Sequence, residues 1–236
     1  MIISQGLERC RTFIDAQMQS AGVAAVTAAT RESRRAVTIS RQTGSGAHSI
    51  AEKLAVLLQA RSPIDAAPWT VFDRNLVEKV LEDHHLPQRL AQFMPEDRIS
   101  ELKDTIDELI GLHPPSWTLV RQTTETVLRL AELGSVILIG RGGVAIITSK
   151  LDYVFHVRLV GSMDRRAKRV QELEHLSEKE ALALIRRQDR GRERYLKKYF
   201  HTDLHDPLLY HLVINTDKVS DDEAARLIAD AVLPRT

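Results

Sequence analysis

The chain has 236 residues, a length that fits one large domain or two small ones. At 43% hydrophobic and 28% charged it has an ordinary globular composition, which excludes long disorder, collagen-like repeats and fibrous arrays. The 33 Lys and Arg against 32 Asp and Glu leave a formal charge of +1, so no global field drives the chain onto nucleic acid or an anionic membrane.

The single cysteine, Cys10, excludes an internal disulfide framework and suits a reducing compartment. No apolar run reaches the roughly 18 residues needed to span a bilayer. Glu8 and Arg9 break the stretch where a secretory signal would be apolar. The expectation is a cytoplasmic protein with neither a membrane nor a nucleic-acid partner.

Residues 1–34 read as an addition to the main domain, which then occupies 35–236. Leu7, Cys10, Phe13, Ile14 and Met18 recur at spacings of three and four, the pattern of an amphipathic helix. Such a helix would lie on the body of the protein or join a second subunit in a homodimer. From Ala36 onward, short apolar strands alternate with helical patterns. The strands are expected at 36–39, 69–72, 136–139, 153–159 and 211–214. Ile50, Leu54, Leu57 and Leu58 form one helical stripe, and Ile99, Leu102, Ile106, Leu109 and Ile110 another. Ser177-x-x-Glu180 and Ser220-x-x-Glu223 are capping boxes that open two later helices. Pro114-Pro115 reads as a turn between helices of an inserted cap. The fold class expected is α/β: a five-stranded, mostly parallel sheet in a three-layer domain, with an N-terminal helical extension.

The first strand runs straight into Ser40-Arg41-Gln42-Thr43-Gly44-Ser45-Gly46-Ala47-His48-Ser49, and a helix follows. In parallel sheets the loop after the first strand is the usual phosphate cradle. Gly44 and Gly46 permit inward-pointing backbone amides, the helix adds its positive end, and Ser45 and Ser49 offer hydroxyls to phosphate or Mg²⁺. A tight strand-to-helix connection without a ligand explains this short segment equally well. In the register of the G-x-x-x-x-G-K-[ST] motif, Arg41 stands at the first glycine and Ala47 at the lysine.

A second constellation is Arg187-Gln188-Asp189-Arg190-Gly191-Arg192-Glu193-Arg194. Residues 158–198 hold 13 Lys or Arg against 7 Asp or Glu. Arg190, Arg192 and Arg194 do not share one helical face, which suits a lid over about 186–200 that wraps an anion; a solvated face of ion pairs is the competing reading. Third, the strand at 136–139 ends in Gly140-Arg141-Gly142-Gly143, which puts an arginine at the same edge of the sheet. Histidines 201, 205 and 211 surround Asp203 and Asp206, but their spacing matches no helical ligand pair.

In this order the elements resemble the cytidylate kinase-like branch of the nucleoside monophosphate kinases, over residues 36–233. The resemblance rests on Ile39-Ser40-Arg41-Gln42-x-Gly44-Ser45-Gly46, Val71-Phe72-Asp73-Arg74, Gly140-Arg141-Gly142-Gly143, His156-Val157-Arg158 with Asp164-Arg165-Arg166, the arginine segment 187–194, and the run from Tyr210 to Asp217. It implies a P-loop fold that moves the γ-phosphate of ATP, with Mg²⁺, onto CMP or dCMP. By the same resemblance Thr43, Gly44, Ser45, Gly46, Ala47, His48 and Ser49 would hold the donor phosphates, with Ser49 the Mg²⁺ ligand. Asp73 and Arg74 would begin the monophosphate-binding segment, and Arg141 would hold the acceptor phosphate. Arg187, Arg190, Arg192 and Arg194 would be the lid arginines, with Arg192 towards the donor and Asp189 towards the acceptor. Asn215 and Thr216 would lie near the donor base.

Three positions depart from that family's pattern. Ala47 replaces the loop lysine, Gly142 replaces the aspartate after Arg141, and Gly191 replaces an aspartate in the lid. Arg41, or a lid arginine, is the expected substitute for the lysine. Alternatives to an active kinase are a nucleotide-binding module of kinase fold and a P-loop kinase for another phosphorylated small molecule.

Overall fold

The computed structural model describes residues 35–64, 66–73, 118–140, 142–147, 151 and 153–233. The expected N-terminal helix, the stripe from Ile99 to Ile110 and the Pro114-Pro115 turn lie outside the described residues.

The elements run β1 (Ala36–Arg41), α1 (Ala47–Arg61), β2 (Thr70–Phe72), α2 (Thr118–Leu133), β3 (Val136–Ile139), α3 (Gly143–Ile147), β4 (Val154–Val160), α4 (Met163–Glu174), α5 (Glu178–Phe200), β5 (Leu212–Asn215) and α6 (Asp221–Val232). The five expected strands all form, each within two residues of the expected ends. Their order in the sheet is β2-β3-β1-β4-β5, and every pairing is parallel. Val and Ile recur in β1, β3 and β4 because branched side chains suit a pleated surface covered on both sides. β1 sits at the centre, with Ala36 opposite both Val136 and Val154. The connection from β3 to β4 crosses over β1, so β1 lies where the strand order reverses, the switch point at which open α/β sheets bind ligands.

Successive residues of a strand point to opposite faces, so one residue's step changes the environment completely. Val37, Ile39, Ile137, Ile139, Val157, Leu159 and Ile214 face α1 and α6, where Ile50, Leu54, Leu58 and Ile228 complete the main core. Ala224, Ala225 and Ala229 are fully buried, and their small side chains let α6 approach α1 closely. The opposite face carries Thr38 and Ser40 from β1, with His156 and Arg158 at matching positions of β4. Over this face lie α3 and the C-terminal half of α5.

Both expected capping boxes are formed. The Ser177 hydroxyl accepts from the Glu180 amide at the start of α5, and Ser220 accepts from Glu223 at the start of α6. The Glu180 and Glu223 carboxylates accept in return from the backbone amides of Ser177 and Ser220. Residues 186–200 are helical throughout and continuous with the first turns of α5, not a separate wrapping loop. A single unbroken helix can offer only one of its faces to the sheet, which decides the fate of the arginines below.

Candidate phosphate-binding site

The loop between β1 and α1 lies between the ends of the neighbouring strands. Gln42 donates its amide to the Leu159 carbonyl at 3.0 Å, and its side-chain oxygen accepts from the Gly161 amide at 2.9 Å. On the other side the Gly140 amide donates to Ile39 O at 3.0 Å. Gly44 and Gly46 have φ of 83° and 84°, in the left-handed region where side chains are strained. A Cβ on Gly44 would lie 2.5 Å from the Arg166 carbonyl oxygen, and one on Gly46 would overlap the Arg169 guanidinium, which is paired with Asp221 at 2.8 Å. Neither position tolerates another residue without moving its neighbour.

The start of α1 is open. Gly46 provides no side-chain cap and the first turn holds no acid. The amides of Gly44, Gly46, Ala47, His48 and Ser49 have no acceptor among the described residues. Unsatisfied amides at a helix N-terminus, aimed with the positive end of its dipole, are a site for an anion. His48 and Ser49 are exposed on this first turn. Ser45 contributes backbone only: its hydroxyl donates to Gln42 O at 2.8 Å and the residue is 1% exposed. Ala47 turns its methyl into the main core, away from the place where a lysine ammonium would act.

α5 lies across the C-terminal end of β1, and between them is a cavity of about 640 Å³ that none of the loop residues from Gln42 to Ser49 lines. The helix presents Arg187, Gln188, Gly191, Arg192, Tyr195 and Leu196, a stripe at spacings of three and four. Arg190 and Arg194 are on the other face; their Nε atoms donate to the helix's own carbonyls of Arg186 and Arg190, at 3.2 and 3.4 Å. Two of the four expected lid arginines thus reach the cavity and two face solvent. The remaining wall comes from Thr38, Ile39, Ser40, Arg41, Asp73, Gly140 and Gly142 to Val144, with Leu204. The Arg41 guanidinium lies against Gly140, whose missing side chain makes room for it. Arg74 and Arg141 lie outside the described residues, although Asp73, Gly140 and Gly142 beside them line the cavity.

Asp189 does not face the cavity. Its carboxylate accepts from the Thr43 amide and hydroxyl, both at 2.9 Å, from Arg166 at 2.8 Å and from Arg192. Arg192 also donates to the Thr43 hydroxyl. Arg166, 5% exposed, donates further to Thr43 O at 3.1 Å and Gly161 O at 3.0 Å. Burial pushes the Asp189 carboxyl up, but the Thr43 amide and the two guanidiniums outweigh that and hold it below the usual carboxylate range. The result is a latch from α5 to the phosphate loop, built by a carboxylate in the company a phosphate oxygen would seek.

Beneath the cavity the polar face of the sheet is hydrogen-bonded in two rungs. Thr38 Oγ1 and His156 Nδ1 are 2.7 Å apart, and the His156 amide donates to His211 Nδ1 at 3.0 Å. Burial, with the neighbouring His211, lowers the His156 pKa to about 4, so it is neutral at pH 7. In the second rung Arg158 donates to Ser40 Oγ at 2.8 Å, while the Tyr210 hydroxyl reaches Ser40 Oγ at 3.3 Å and donates to Leu204 O at 2.9 Å.

Asn215 and Thr216 follow β5, next to the loop after β4. Thr216 donates its amide to Val160 O at 2.8 Å, and Asn215 Oδ1 accepts from the Asp217 amide at 2.9 Å. Asp217 binds the Ser162 amide at 2.9 Å through one oxygen, and its other oxygen is buried without a partner among the described residues. The three histidines do not converge: His205 meets Glu193 at 3.0 Å and His211 stacks on Phe155. Among the described residues no group of three or more His, Cys, Asp or Glu could hold a metal. No helix among them is long and apolar enough to cross a membrane.

Sequence reasoning assigned no role to Arg158, Arg166, His156 or Tyr210. One signal was available. His156 and Arg158 interrupt an otherwise apolar seven-residue strand, Val-Phe-His-Val-Arg-Leu-Val, at alternate positions and therefore on one face.

Comparison with known proteins agrees with this architecture. A curated cytidylate kinase of Pyrobaculum neutrophilum is 29% identical over 197 residues, 83% of this chain and 91% of that protein. One from Methanopyrus kandleri is 30% identical over 111 residues, 44% of this chain and 58% of that protein. The crystal structure of an uncharacterized protein from Eubacterium ventriosum covers 86% of this chain and 99% of its own, with a TM-score of 0.65 at 22% identity, a likeness of fold. At family level the curated cytidylate kinases support nucleoside monophosphate kinase function. The profile of the cytidylate kinase-like family matches residues 36–218, and the chain belongs to that family.

Proposed function

We propose that the chain transfers the γ-phosphoryl group of ATP to a nucleoside monophosphate, with CMP or dCMP as acceptor. The observation that carries this reading is the open start of α1, whose free amides stand at the switch point of the sheet across from a cavity lined by arginines. Phosphoryl transfer leaves little covalent chemistry to the protein; it needs positioning and cations around a charge spread over several oxygens. The amides of Gly44 to Ser49 would hold the donor phosphates. Arg41 beside the loop, with Arg187 and Arg192 on α5, would offset charge on the transferred group, with Arg141 on the acceptor side. The residues fit a Mg²⁺ ion: the Ser49 hydroxyl, exposed and unpartnered among the described residues, would help hold it, and its charge would offset that of the donor phosphates.

If Arg41 substitutes for the missing lysine, Arg41→Ala lowers turnover by about 100-fold or more while changing ATP affinity by only a few-fold. A coupled assay of ADP release from ATP and Mg²⁺, with a panel of monophosphates headed by CMP and dCMP, tests the function itself. Acceptor-dependent release is the expected result, and silence across the panel would overturn it. A second reading, a nucleotide-binding module without turnover, draws on Ala47 in the core and Asp189 on the loop amide. ATP binding by calorimetry with no ADP release would favour it.

A further inference from the structure

Two arginines are equally buried near the phosphate loop, but the structure treats them differently. Arg166, 5% exposed, meets a carboxylate and two backbone carbonyls. Arg158, 4% exposed, stands on the central strand β4 opposite Ser40 of β1. Its hydrogen bond goes to the Ser40 hydroxyl, and its guanidinium lies 5.9 Å from the centre of the Tyr210 ring. No carboxylate among the described residues comes within ion-pair distance of it. The nearest two are already engaged, Asp189 with Arg166 and Arg192, and Glu193 with His205. Burial pulls the Arg158 pKa below the ordinary arginine value, and Tyr210, Asp189 and Glu193 only partly oppose this.

A charge buried without a counter-charge is costly, and the fold bears that cost for no visible structural return. Arg158 stands directly behind Ser40, a residue of the cavity wall, and feels the repulsion of Arg192, which lines the cavity from α5. We propose that Arg158 is a further positioning residue of the phosphate site: it fixes the Ser40 hydroxyl at the cavity wall and keeps a positive charge un-neutralised for the anion that enters. This rests on the reading above that the cavity takes a phosphate ester.

The test uses the full chain and inorganic tripolyphosphate, followed by calorimetry and by the rise in melting temperature on adding it. Arg158→Met removes the charge at similar volume. It should weaken tripolyphosphate at least about tenfold and abolish most of the ligand-induced rise, while the melting temperature without ligand stays the same or increases. Arg158→Lys, which keeps the charge, should bind between the two. Met binding as tightly as wild type, or Lys losing as much as Met, would overturn the proposal. If Arg158→Met does not fold, Ser40→Ala takes its place: weaker tripolyphosphate binding with an intact fold is expected, and unchanged binding would refute the role given to this pair. Wild type that fails to bind tripolyphosphate would instead remove the phosphate reading of the cavity on which the proposal stands.

Discussion

On one face of the sheet Val37, Ile39, Val157 and Leu159 meet α1 and α6; on the other, one residue along the same two strands, Thr38 and Ser40 line the cavity with His156 and Arg158 hydrogen-bonded beside them. The first face is held by area. Its side chains are interchangeable in kind, because burial of apolar surface is non-directional and a neighbour can shift by a fraction of an ångström. The second face is held by specific partners: Thr38 meets His156, and Ser40 meets Arg158 and Tyr210. Because strand period is two, both faces are specified within seven consecutive residues of β4. An enzyme of this architecture can thus concentrate its chemistry on one side of a sheet while the other side supplies the stability.

The largest expected effect falls on the polar side. Asp189→Asn removes the one carboxylate paired with the buried Arg166 among the described residues and should destabilise the fold by about 3–5 kcal/mol, read by chemical denaturation. The sign of its pH dependence follows from the carboxyl being held below its ordinary value. The contribution is present above the unfolded pKa and disappears as pH falls through the folded one, so the acid limb below about pH 4 should be shallower in the Asn variant than in wild type. A comparable truncation on the apolar side, Leu54→Ala at a fully buried position, should cost about 2–5 kcal/mol and show no such pH dependence. If both variants had the same pH profile, the distinction between the faces would fail.

His156 sharpens the contrast at milder pH. Its folded pKa of about 4 lies below the unfolded value near 6.5, so the unfolded chain takes up the proton first as pH falls between them. Wild-type stability should drop over that interval by an amount on the order of 3 kcal/mol, and His156→Gln should flatten the profile. His211, in contact with His156, contributes to that lowering, so the melting temperature of both single variants needs following across the range. Smallest is the helix cap: Ser220→Ala should cost about 1 kcal/mol, independent of the site, by thermal unfolding.

The apolar face was the legible one. Alternating and helical periodicities in the sequence located five strands, the α1 stripe and both capping boxes, because each of those signals is local to a dozen residues. The loop was also legible, since Gly44 and Gly46 mark positive φ in the sequence itself. What failed to show was anything decided by which side of an element faces the sheet. Arg190 and Arg194 look the same in the sequence as Arg187 and Arg192, but one continuous helix sends the two pairs in opposite directions. Likewise Asp189 reads as an acceptor-side residue until α5 is laid over the loop, where it bonds the Thr43 amide 146 positions away in the chain. The pairing of Arg158 with Ser40 depends on the register of β4 against β1, a contact between residues 118 positions apart.

The central claim is that the loop amides at the start of α1, and not other helix ends, receive a polyphosphate. Amide chemical shifts followed by NMR as ATP and Mg²⁺ are added test it residue by residue. Saturable shifts at Gly44, Gly46, Ala47, His48 and Ser49, with the capped starts of α5 and α6 unmoved, are expected. Unmoved loop amides at saturating ATP, or equal shifts at all three helix starts, would contradict it.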